Sequence, residues 1–465
     1  MLMINTAIFR EYDIRGIWKK DLTEEVIERI GKAFAVYLRD ALKKEKITVS
    51  IGRDIRLSSS IIMKSLSRGL LSSGIDIIDI GVCPTPVQYF SLFHLPVDGG
   101  VMITGSHNPP EFNGMKISVG KETLYGEKIQ DVRRISERGD FINGIGKAEV
   151  YEIMPVYMKH LKNSFSPFNG IKVVVDAGNG TAGLVAPHLM RDLGCEVIEL
   201  YCDPDGNFPN HHPDPVVMEN LKDLIAKVVS SGADIGMGYD GDADRIGVIS
   251  DKGEVIWGDK LMIIFARDII EKQKAEGIHE KPIFIADVKC SQIMYEEIAR
   301  LGGNPIMWKT GHSLIKHKVK ETGALLGGEL SGHLFFADRY FGYDDAIYAS
   351  LRLLEIISKY GRPYSIERLL SDVPKTVSTP EIRVECPDDI KFEVVKRVKE
   401  AFRDYPFNDI DGIRIHFDRG WGLLRASNTQ PALVLRFEAK DEDSLREIRE
   451  LVEGKLNHVM AGFNP

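Results

Sequence analysis

A unit of strand, polar loop, helix, glycine and strand occurs three times in the sequence, and this repeat constrains the fold more than any other feature. The copies run from ITVSIGRD to IDIIDIG (47–81), from IKVVVDAGNG to CEVIELY (171–201) and from PIFIADVKCS to NPIMWKT (282–310). Nearly continuous apolar strands that alternate with helices are typical of βαβ units. The repeat therefore predicts three similar α/β domains with mixed, largely parallel sheets.

The residues after Pro374 follow a different pattern. An extended segment (376–389) precedes an amphipathic helix (390–404), and 412–439 alternates like antiparallel strands. The acidic segment 441–460 predicts a closing helix, capped by Asp441 or Ser444. This part predicts a small C-terminal α+β domain, and the whole chain divides into domains I to IV at 1–155, 156–255, 256–372 and 373–465.

Composition narrows the function. A chain of 465 residues is too long for one core, and its net charge of −8 disfavours nucleic acid as a partner. The five cysteines are scattered without a C-x-x-C pair, which favours a reducing cytoplasm over a disulfide framework. The start of the chain lacks a signal-peptide pattern, and the apolar run 261–266 is too short to span a membrane. We therefore expect a cytoplasmic protein without a membrane partner.

Each repeated unit continues to a second glycine-rich loop, in the segments VMITGSHN (101–108), DIGMGYDGDADR (234–245) and GALLGGELSGH (323–333). Ligands of open α/β sheets bind beyond the carboxyl ends of the strands. Because each of these loops follows a predicted strand, the repeat predicts that one loop from each domain contributes to a shared site.

The segment DGDADR places Asp240, Asp242 and Asp244 at alternate positions. In an extended backbone these carboxylates would face one way, and such a cluster needs a positive group among them. Oxygen ligands favour Mg²⁺ or Ca²⁺. An EF-hand is a poor match, because its glycine and glutamate positions hold Arg245 and Asp251. The alternative to a metal site is a solvated acidic turn.

Ser106 lies in the stiff segment TGSHNPPEFNGMKI (104–117), with Lys116 ten residues later. A phosphorylated Ser106 would supply an anionic oxygen ligand to a metal held by the aspartates. A capping serine in a tight turn is one alternative. A Ser-His-Asp hydrolase is another, but the G-x-S-x-G elbow is absent and His107 adjoins the serine in sequence.

Two further loops carry groups for a sugar phosphate. Glu329 and Ser331, near His333, suit sugar hydroxyls, although a plain polar loop is the alternative. A turn near the C-terminus offers donors for a phosphate, namely Arg425, Ser427, Asn428, Thr429 and Arg436. The alternative there is a hairpin with exposed arginines.

Six segments together resemble the α-D-phosphohexomutases over essentially the whole chain, and most closely the phosphomannomutase/phosphoglucomutase group. They are FREYDIRG (9–16), TGSHNPPEFNGMKI (104–117), DGDADR (240–245), KTGHSLIK (309–316), GELSGH (328–333) and RASNTQP (425–431). The resemblance implies four domains around a central cleft, the last similar to the TATA-box-binding-protein fold.

The resemblance also implies roles for residues. Ser106 would be a phosphoserine that binds Mg²⁺ together with Asp240, Asp242 and Asp244. Lys116 and Arg245 would lie near the reacting phosphoryl group, and Lys116, His312 or His333 would move the hydroxyl proton. Glu329 and Ser331 would hold the sugar, and residues 425–429 the phosphate that does not react. Three further residues fall on matching positions, namely Tyr12, Arg15 and Lys289.

The implied activity is interconversion of hexose 1-phosphate and hexose 6-phosphate through a hexose 1,6-bisphosphate. Glucose 1,6-bisphosphate is the expected activator, and small-molecule sugar phosphates are the expected partners. Leu330 stands where many glucose and mannose enzymes carry methionine, and its apolar side chain favours mannose or glucose as the sugar. The alternatives are a phosphoglucosamine mutase, a Mg²⁺-dependent sugar phosphatase and a non-catalytic sugar-phosphate sensor. The sequence leaves the oligomeric state open.

Overall fold

Separate β-sheets follow one another along the chain in the computed structural model, which describes residues 4–168, 170–428 and 430–463. Four sheets are formed by these residues, from strands within 14–150, 172–256, 283–336 and 377–439. The predicted architecture of three α/β domains and a C-terminal α+β domain is confirmed, while the exact boundaries stay a prediction. Every helix within the described residues is too short or too polar to cross a bilayer.

Domain I has a sheet in the order β1-β5-β4-β2-β3-β7, with β6 paired to β5. The strands β2, β3, β4 and β7 run parallel, whereas β5 is antiparallel to β4 and β1. The elements are β1 (Ile14–Ile17), α1 (Glu24–Leu42), β2 (Ile47–Arg53), α2 (Ser59–Leu71), β3 (Ile75–Val82), α3 (Thr85–His94), β4 (Gly99–Ile103), β5 (Phe112–Val119), β6 (Glu122–Thr123), α4 (Glu127–Arg138) and β7 (Ala148–Val150).

Domain II has the order β12-β11-β10-β8-β9, in which β8, β9 and β10 are parallel and β11 is antiparallel to β10. Every residue of β10 is buried, as expected for a strand covered on both faces. The elements are α5 (Met154–Ser164), β8 (Lys172–Asp176), α6 (Ala186–Asp192), β9 (Glu196–Leu200), α7 (Lys222–Ser231), β10 (Ile235–Tyr239), β11 (Ile246–Ser250) and β12 (Val255–Ile256).

Domain III has the order β14-β13-β15-β16, in which β13, β14 and β15 are parallel and β16 is antiparallel to β15. The elements are α8 (Gly258–Ala275), β13 (Ile283–Asp287), α9 (Gln292–Leu301), β14 (Asn304–Trp308), α10 (His312–Thr322), β15 (Leu326–Gly328), β16 (Leu334–Phe336) and α11 (Ala346–Lys359). Each of the first three domains therefore contains one equivalent antiparallel hairpin: β4–β5, β10–β11 and β15–β16.

Domain IV is an antiparallel sheet in the order β17-β22-β21-β20-β19, with β18 also paired to β22. Asp441 rather than Ser444 caps the closing helix, because its side chain accepts a hydrogen bond from Ser444 N at 2.9 Å. The elements are β17 (Val377–Ser378), β18 (Ile382–Glu385), α12 (Lys391–Ala401), β19 (Phe407–Asn408), β20 (Ile413–Phe417), β21 (Gly420–Ala426), β22 (Ala432–Ala439) and α13 (Glu442–Ala461).

The apolar cores join some domains and separate another. One core runs through domains II and III and includes side chains of α3 in domain I. Domain IV has a core of its own, formed by both of its helices and its sheet. Only a small cluster of Val288 with Trp421 and Leu423 lies between domains III and IV among the described residues. The fourth domain is therefore the one least tied to the others by apolar burial.

Candidate functional site

The three equivalent hairpins place their turns against one another. The turn of β4–β5 carries Ser106, the turn of β10–β11 carries the three aspartates, and the turn of β15–β16 carries Glu329 and His333. A β-bridge pairs Arg245 with His333, and Ser106 contacts Asp240 directly. The predicted convergence of one loop from each domain is thus what the structure shows for these residues.

Ser106 occupies a tightly constrained turn. It adopts a left-handed backbone with φ of 47°, and its N–H donates to Thr104 Oγ1 at 2.8 Å. The preceding Gly105 is required by packing, because a Cβ there would lie 2.6 Å from the guanidinium carbon of Arg56. The Ser106 Oγ donates to Asp240 Oδ2 at 3.0 Å and not to His107, whose Nδ1 lies 2.8 Å from Asp214. This arrangement does not form the Ser-His pair of a hydrolase.

Arg56 fixes this turn, and the sequence analysis missed it. Its buried side chain pairs with Asp54 at 3.1 Å. Its guanidinium also donates to four backbone carbonyl oxygens of the turn, those of Ser106 (2.7 Å), Asn108 (2.6 Å), Pro109 (2.6 Å) and Phe112 (3.0 Å). The planar fork of arginine suits this task. The only sequence signal was its position in the polar turn after β2.

The three aspartates meet in a turn and not in an extended strand, so that part of the prediction was wrong. The strand β10 ends at Tyr239, and Ala243 has φ of 59°, because the chain must reverse into β11 within a few residues. The carboxylates nevertheless converge: Asp240, Asp242 and Asp244 are fully buried and offer oxygens within 4.8 Å of one another. Asp242 Oδ1 accepts no hydrogen bond from the described residues, whereas Asp244 Oδ1 has His333 Nε2 at 3.3 Å.

The buried oxygens of this aspartate cluster fit a divalent cation. An isolated buried carboxylate is costly, and oxygen-only ligands suit Mg²⁺. Burial and the neighbouring carboxylates of Asp244 and Asp242 raise the pKa of Asp240 well above its ordinary value. A cation at this point would relieve that repulsion, and the Ser106 Oγ would lie beside it.

Lys116 reaches the aspartates from β5, where it pairs with Met102 of β4. Its Nζ donates to Asp242 Oδ2 at 2.8 Å and also to Asp244 Oδ2. Burial opposes its charge, but these two carboxylates outweigh that effect and raise the pKa of Lys116 well above its ordinary value. Arg245 lies nearby, 3.9 Å from Asp240 and 4.0 Å from Asp214. Both cations are therefore held charged at the aspartate cluster.

The loop of domain III is organised around His333. Its Nδ1 lies 2.6 Å from Glu329 Oε2 and 3.2 Å from Ser331 Oγ, and its Nε2 lies 3.3 Å from Asp244 Oδ1. Burial and Arg245 disfavour its charged form, but the two carboxylates prevail and raise the pKa of His333 to about 9. Glu329 is further fixed by Gly311 N, which donates to Oε1 at 2.6 Å. The predicted sugar loop is thus directly joined to the aspartate cluster.

His312 stacks on His333 with ring centroids 5.6 Å apart, but its surroundings differ. Burial, followed by the charges of Lys316 and Lys116, lowers the pKa of His312 well below its ordinary value. Its Nδ1 lies 3.6 Å from Asp344, which in turn pairs with Lys316 at 2.9 Å. Lys316 ends the KTGHSLIK segment (309–316) but had no predicted role, and Asp344 lies in none of the six segments, so only the fold brings it here.

Tyr12 links three domains at this site. Its hydroxyl donates to Thr310 O at 2.7 Å and accepts from Asn428 Nδ2 at 2.7 Å. Arg15 lies close to the serine turn and donates to Asn108 Oδ1 at 2.7 Å. Of the two residues of domain I that were predicted to bind substrate, Arg15 therefore lies next to the serine turn and Tyr12 lies next to the C-terminal loop.

The C-terminal loop follows β21. Arg425 Nε donates to Asp411 Oδ2 at 2.9 Å. Lys391, which the sequence analysis missed, donates to the carbonyl oxygens of Ser427 at 2.6 Å and Gln430 at 3.1 Å. Thr429 lies outside the described residues. This loop combines a guanidinium, a hydroxyl and an amide at one turn.

The two remaining predicted cations lie between domains III and IV. Lys289 donates to Glu381 Oε2 at 3.2 Å. Arg436 donates to the Lys289 carbonyl oxygen and lies 3.7 Å from Asp259. Arg436 is thus engaged by domain III, and its role in binding a phosphate stays a prediction.

Comparison with known proteins covers nearly the whole chain. Four family models match in order: "Phosphoglucomutase/phosphomannomutase, alpha/beta/alpha" domain I (residues 6–143), domain II (155–253) and domain III (257–377), and the "C-terminal domain" (381–455). A phosphomannomutase/phosphoglucomutase of Pseudomonas aeruginosa is 46% identical over 97% of this chain and 96% of its own length. A phosphoglucomutase of Neisseria gonorrhoeae is 42% identical over the same shares of the two chains.

Among solved structures, a phosphoglucomutase/phosphomannomutase family protein of Burkholderia thailandensis superposes with a TM-score of 0.91. It is 39% identical to this chain, and the match covers 99% of each chain.

Proposed function

The chain belongs to the phosphoglucomutase/phosphomannomutase family and is a mutase acting on hexose phosphates, and we propose that it transfers the phosphoryl group through a phosphoserine at Ser106. One observation carries this proposal. The Ser106 Oγ donates to Asp240 Oδ2 at 3.0 Å, and Asp240 belongs to a buried group of three carboxylates in which Asp242 Oδ1 accepts no hydrogen bond from the described residues. A serine so placed can share a metal with the aspartates once it is phosphorylated.

Asp240, Asp242 and Asp244 would hold Mg²⁺ together with the phosphorylated Ser106. When bound, the ion neutralises the charge of the phosphoryl group and polarises its oxygens. The chain supplies the rest of the charge balance through Lys116 and Arg245, which lie at the same cluster. Phosphoryl transfer depends mainly on such positioning and charge neutralisation.

The proposed transfer breaks the bond between Ser106 Oγ and phosphorus while a sugar hydroxyl oxygen forms a new bond to phosphorus. The hydroxyl proton must leave, and Ser106 Oγ ends protonated. His312 suits the acceptor role, because burial and Lys316 keep its imidazole neutral. A general base needs a free lone pair at the working pH. Lys116, held as an ammonium by two carboxylates, suits charge neutralisation instead.

The product of this transfer is a hexose 1,6-bisphosphate. It would turn over in the site and return its other phosphate to Ser106, so glucose 1,6-bisphosphate would act as an activator. Glu329 and Ser331, which lie beside His333 on the domain III loop, would bind sugar hydroxyls. Arg425, with Ser427 and Asn428, would bind the phosphate that is not reacting.

The experiment is a coupled mutase assay with glucose 1-phosphate, mannose 1-phosphate and glucosamine 1-phosphate, each with Mg²⁺ and catalytic glucose 1,6-bisphosphate. We expect turnover of both the glucose and the mannose substrates. Leu330 offers no side-chain hydrogen bond to the group at C2, and a missing hydrogen bond removes the strongest route to discrimination. The matched variant Leu330→Gln, which adds such a group, should shift the preference toward glucosamine 1-phosphate.

The same assay separates the alternatives. A hundredfold higher kcat/KM for glucosamine 1-phosphate than for the other two would identify a phosphoglucosamine mutase. Release of inorganic phosphate at the rate of substrate loss would identify a phosphatase. No turnover of any substrate, together with tight binding of the bisphosphate, would identify a sensor.

A further inference from the structure

A cavity of about 420 Å³ lies between domains I and III. Its lining does not include Ser106, the three aspartates or Arg425, so it is separate from the proposed mutase centre. Its volume falls within the usual range of small-molecule pockets. One of its lining residues, Lys316, pairs with Asp344 beside His312.

Aromatic rings from both domains face one another in this cavity. Phe93 of domain I lies 4.7 Å from Phe341 and 5.7 Å from Tyr343 of domain III, measured between ring centroids. Tyr89 lies 5.5 Å from Tyr343. Phe341 is 37% exposed, so its ring is left partly open to solvent. These rings pack directly against one another, and an apolar group that covers the open part of Phe341 would bury additional aromatic surface.

One lysine of the same cavity has no carboxylate partner among the described residues. Lys121, Lys316 and Lys320 line the cavity, but Lys320 pairs with Glu122 and Lys316 pairs with Asp344. Lys121 is exposed, and its Nζ lies 4.6 Å above the Phe93 ring. The unpaired charge of Lys121 favours an anionic ligand.

A buried donor completes the site. Tyr89 is buried, with 2% of its surface exposed. Its hydroxyl lies close to Thr123 but forms no hydrogen bond of normal geometry with the described residues. Lys316 Nζ lies 3.9 Å above the ring of Tyr89. A buried polar group without a partner is costly, and a ligand oxygen would satisfy it.

We propose that this cavity binds a small organic anion with an aromatic or planar apolar body, at a site distinct from the mutase centre. The rings of Phe93, Phe341 and Tyr343 would contact the apolar body, and Lys121 and the Tyr89 hydroxyl would bind the anionic group. Such a ligand would contact domain I and domain III at once.

The test is a fluorescence titration of the full chain with 8-anilinonaphthalene-1-sulfonate, an aromatic sulfonate. We expect one saturable site per chain whose affinity is unchanged by saturating glucose 1,6-bisphosphate. Lys121→Glu and Phe341→Ala should each raise Kd at least tenfold. The matched controls Lys64→Glu and Phe392→Ala alter exposed residues elsewhere and should leave Kd unchanged.

Three results would overturn the proposal. They are the absence of saturable binding, displacement of the sulfonate by glucose 1,6-bisphosphate, and unchanged affinity in either Lys121→Glu or Phe341→Ala. Circular dichroism establishes that each variant is folded. Lys121 is exposed, so its substitution should be tolerated. Should Phe341→Ala fail to fold, Phe341→Leu removes the ring while keeping apolar volume, and the same tenfold change is expected.

Discussion

The serine turn of domain I and the loop 427–430 of domain IV are proposed to hold the two phosphates of one substrate, yet they are held in different ways. Arg56 binds four carbonyl oxygens of the serine turn and is itself buried against Asp54. Among the described residues, the loop of domain IV is contacted by Lys391 from within its own domain, and Asn428 of this loop donates a hydrogen bond to the Tyr12 hydroxyl. The serine turn is therefore fixed at four of its carbonyl oxygens, whereas the domain IV loop is held mainly by a residue of its own domain.

The cores of the domains show the same difference. Domains II and III share one apolar core with part of domain I, whereas domain IV has its own. Guanidinium contacts join domain IV to domain III: Arg414 donates to the carbonyl oxygens of Val288 at 2.7 Å and Cys290 at 2.8 Å. We infer that the serine turn is a fixed point of reaction, and that domain IV is the part able to open for a substrate that must enter and turn over.

The largest effect is expected at the fixed point. Ser106→Ala should abolish mutase turnover, because no other hydroxyl in the turn lies beside Asp240. Intact-mass spectrometry of the wild-type chain should show a fraction heavier by one phosphoryl group, and this species should be absent from the variant. The control Ser166→Ala changes an exposed serine and should keep both the activity and the heavier species. A fully active Ser106→Ala variant would exclude the proposed mechanism.

The next-largest effect is expected at Arg56, the clamp that holds the serine turn, rather than at Ser106 itself. Arg56→Ala leaves Asp54 buried without its partner, which should lower the free energy of unfolding by about 3–5 kcal/mol. A serine turn displaced by about 1 Å should lower kcat roughly a hundredfold. Urea denaturation and mutase kinetics measure the two effects.

The control for the clamp is Arg68→Ala, which removes an exposed arginine of α2. It should change stability by less than about 1 kcal/mol. An Arg56→Ala variant with wild-type kcat would show that the turn holds its shape without the clamp, and the contrast between the two loops would then fail.

The third-largest effect is expected at the phosphate-binding loop of domain IV, the domain inferred to open. Arg425→Ala removes the guanidinium that is proposed to contact the distal phosphate, and such a charge-assisted contact is worth about 1.5–3 kcal/mol. It should lower kcat/KM by roughly 10- to 150-fold in the forward and reverse directions alike, and it should increase dependence on added glucose 1,6-bisphosphate. Both directions are affected because each monophosphate presents its unreactive phosphate to the same loop. A loss in only one direction would show that the loop serves a single substrate orientation.

The sequence predicted the secondary-structure elements and the functional loops better than it predicted the residues that hold those loops in place. The strand ends before Thr104, Asp240 and Glu329 follow from apolar runs and glycine punctuation, which are local signals. The geometry of the aspartates did not follow, because alternation suggests a strand while the chain turns with Ala243 in a left-handed conformation. Periodicity alone cannot distinguish an extended segment from a turn that has the same composition.

The supporting residues escaped prediction for a different reason. Arg56 contacts residues about fifty positions away, and Asp344 lies near His312 only because β16 and the start of α11 bring it there. Neither has a motif of its own in the sequence analysis, since an arginine in a turn or an aspartate before a helix has many structural uses. Their importance follows from burial and from partners distant along the chain, and both need the fold.

The smallest effect is expected where the two loops meet. Tyr12→Phe removes the hydroxyl that accepts from Asn428 and donates to Thr310, while keeping the ring that lies 5.9 Å from His312. Of these two hydrogen bonds, the one from Asn428 reaches the domain IV loop; a single hydrogen bond is worth about 1 kcal/mol net, so its loss should lower kcat/KM roughly fivefold. The fall should appear mainly in KM, because the hydroxyl positions the domain IV loop and does not reach the reacting serine. The control Tyr360→Phe alters a tyrosine that is 47% exposed and should change neither constant. A fall in kcat with unchanged KM would instead place the Tyr12 hydroxyl in the chemical step and make the two loops a single catalytic unit.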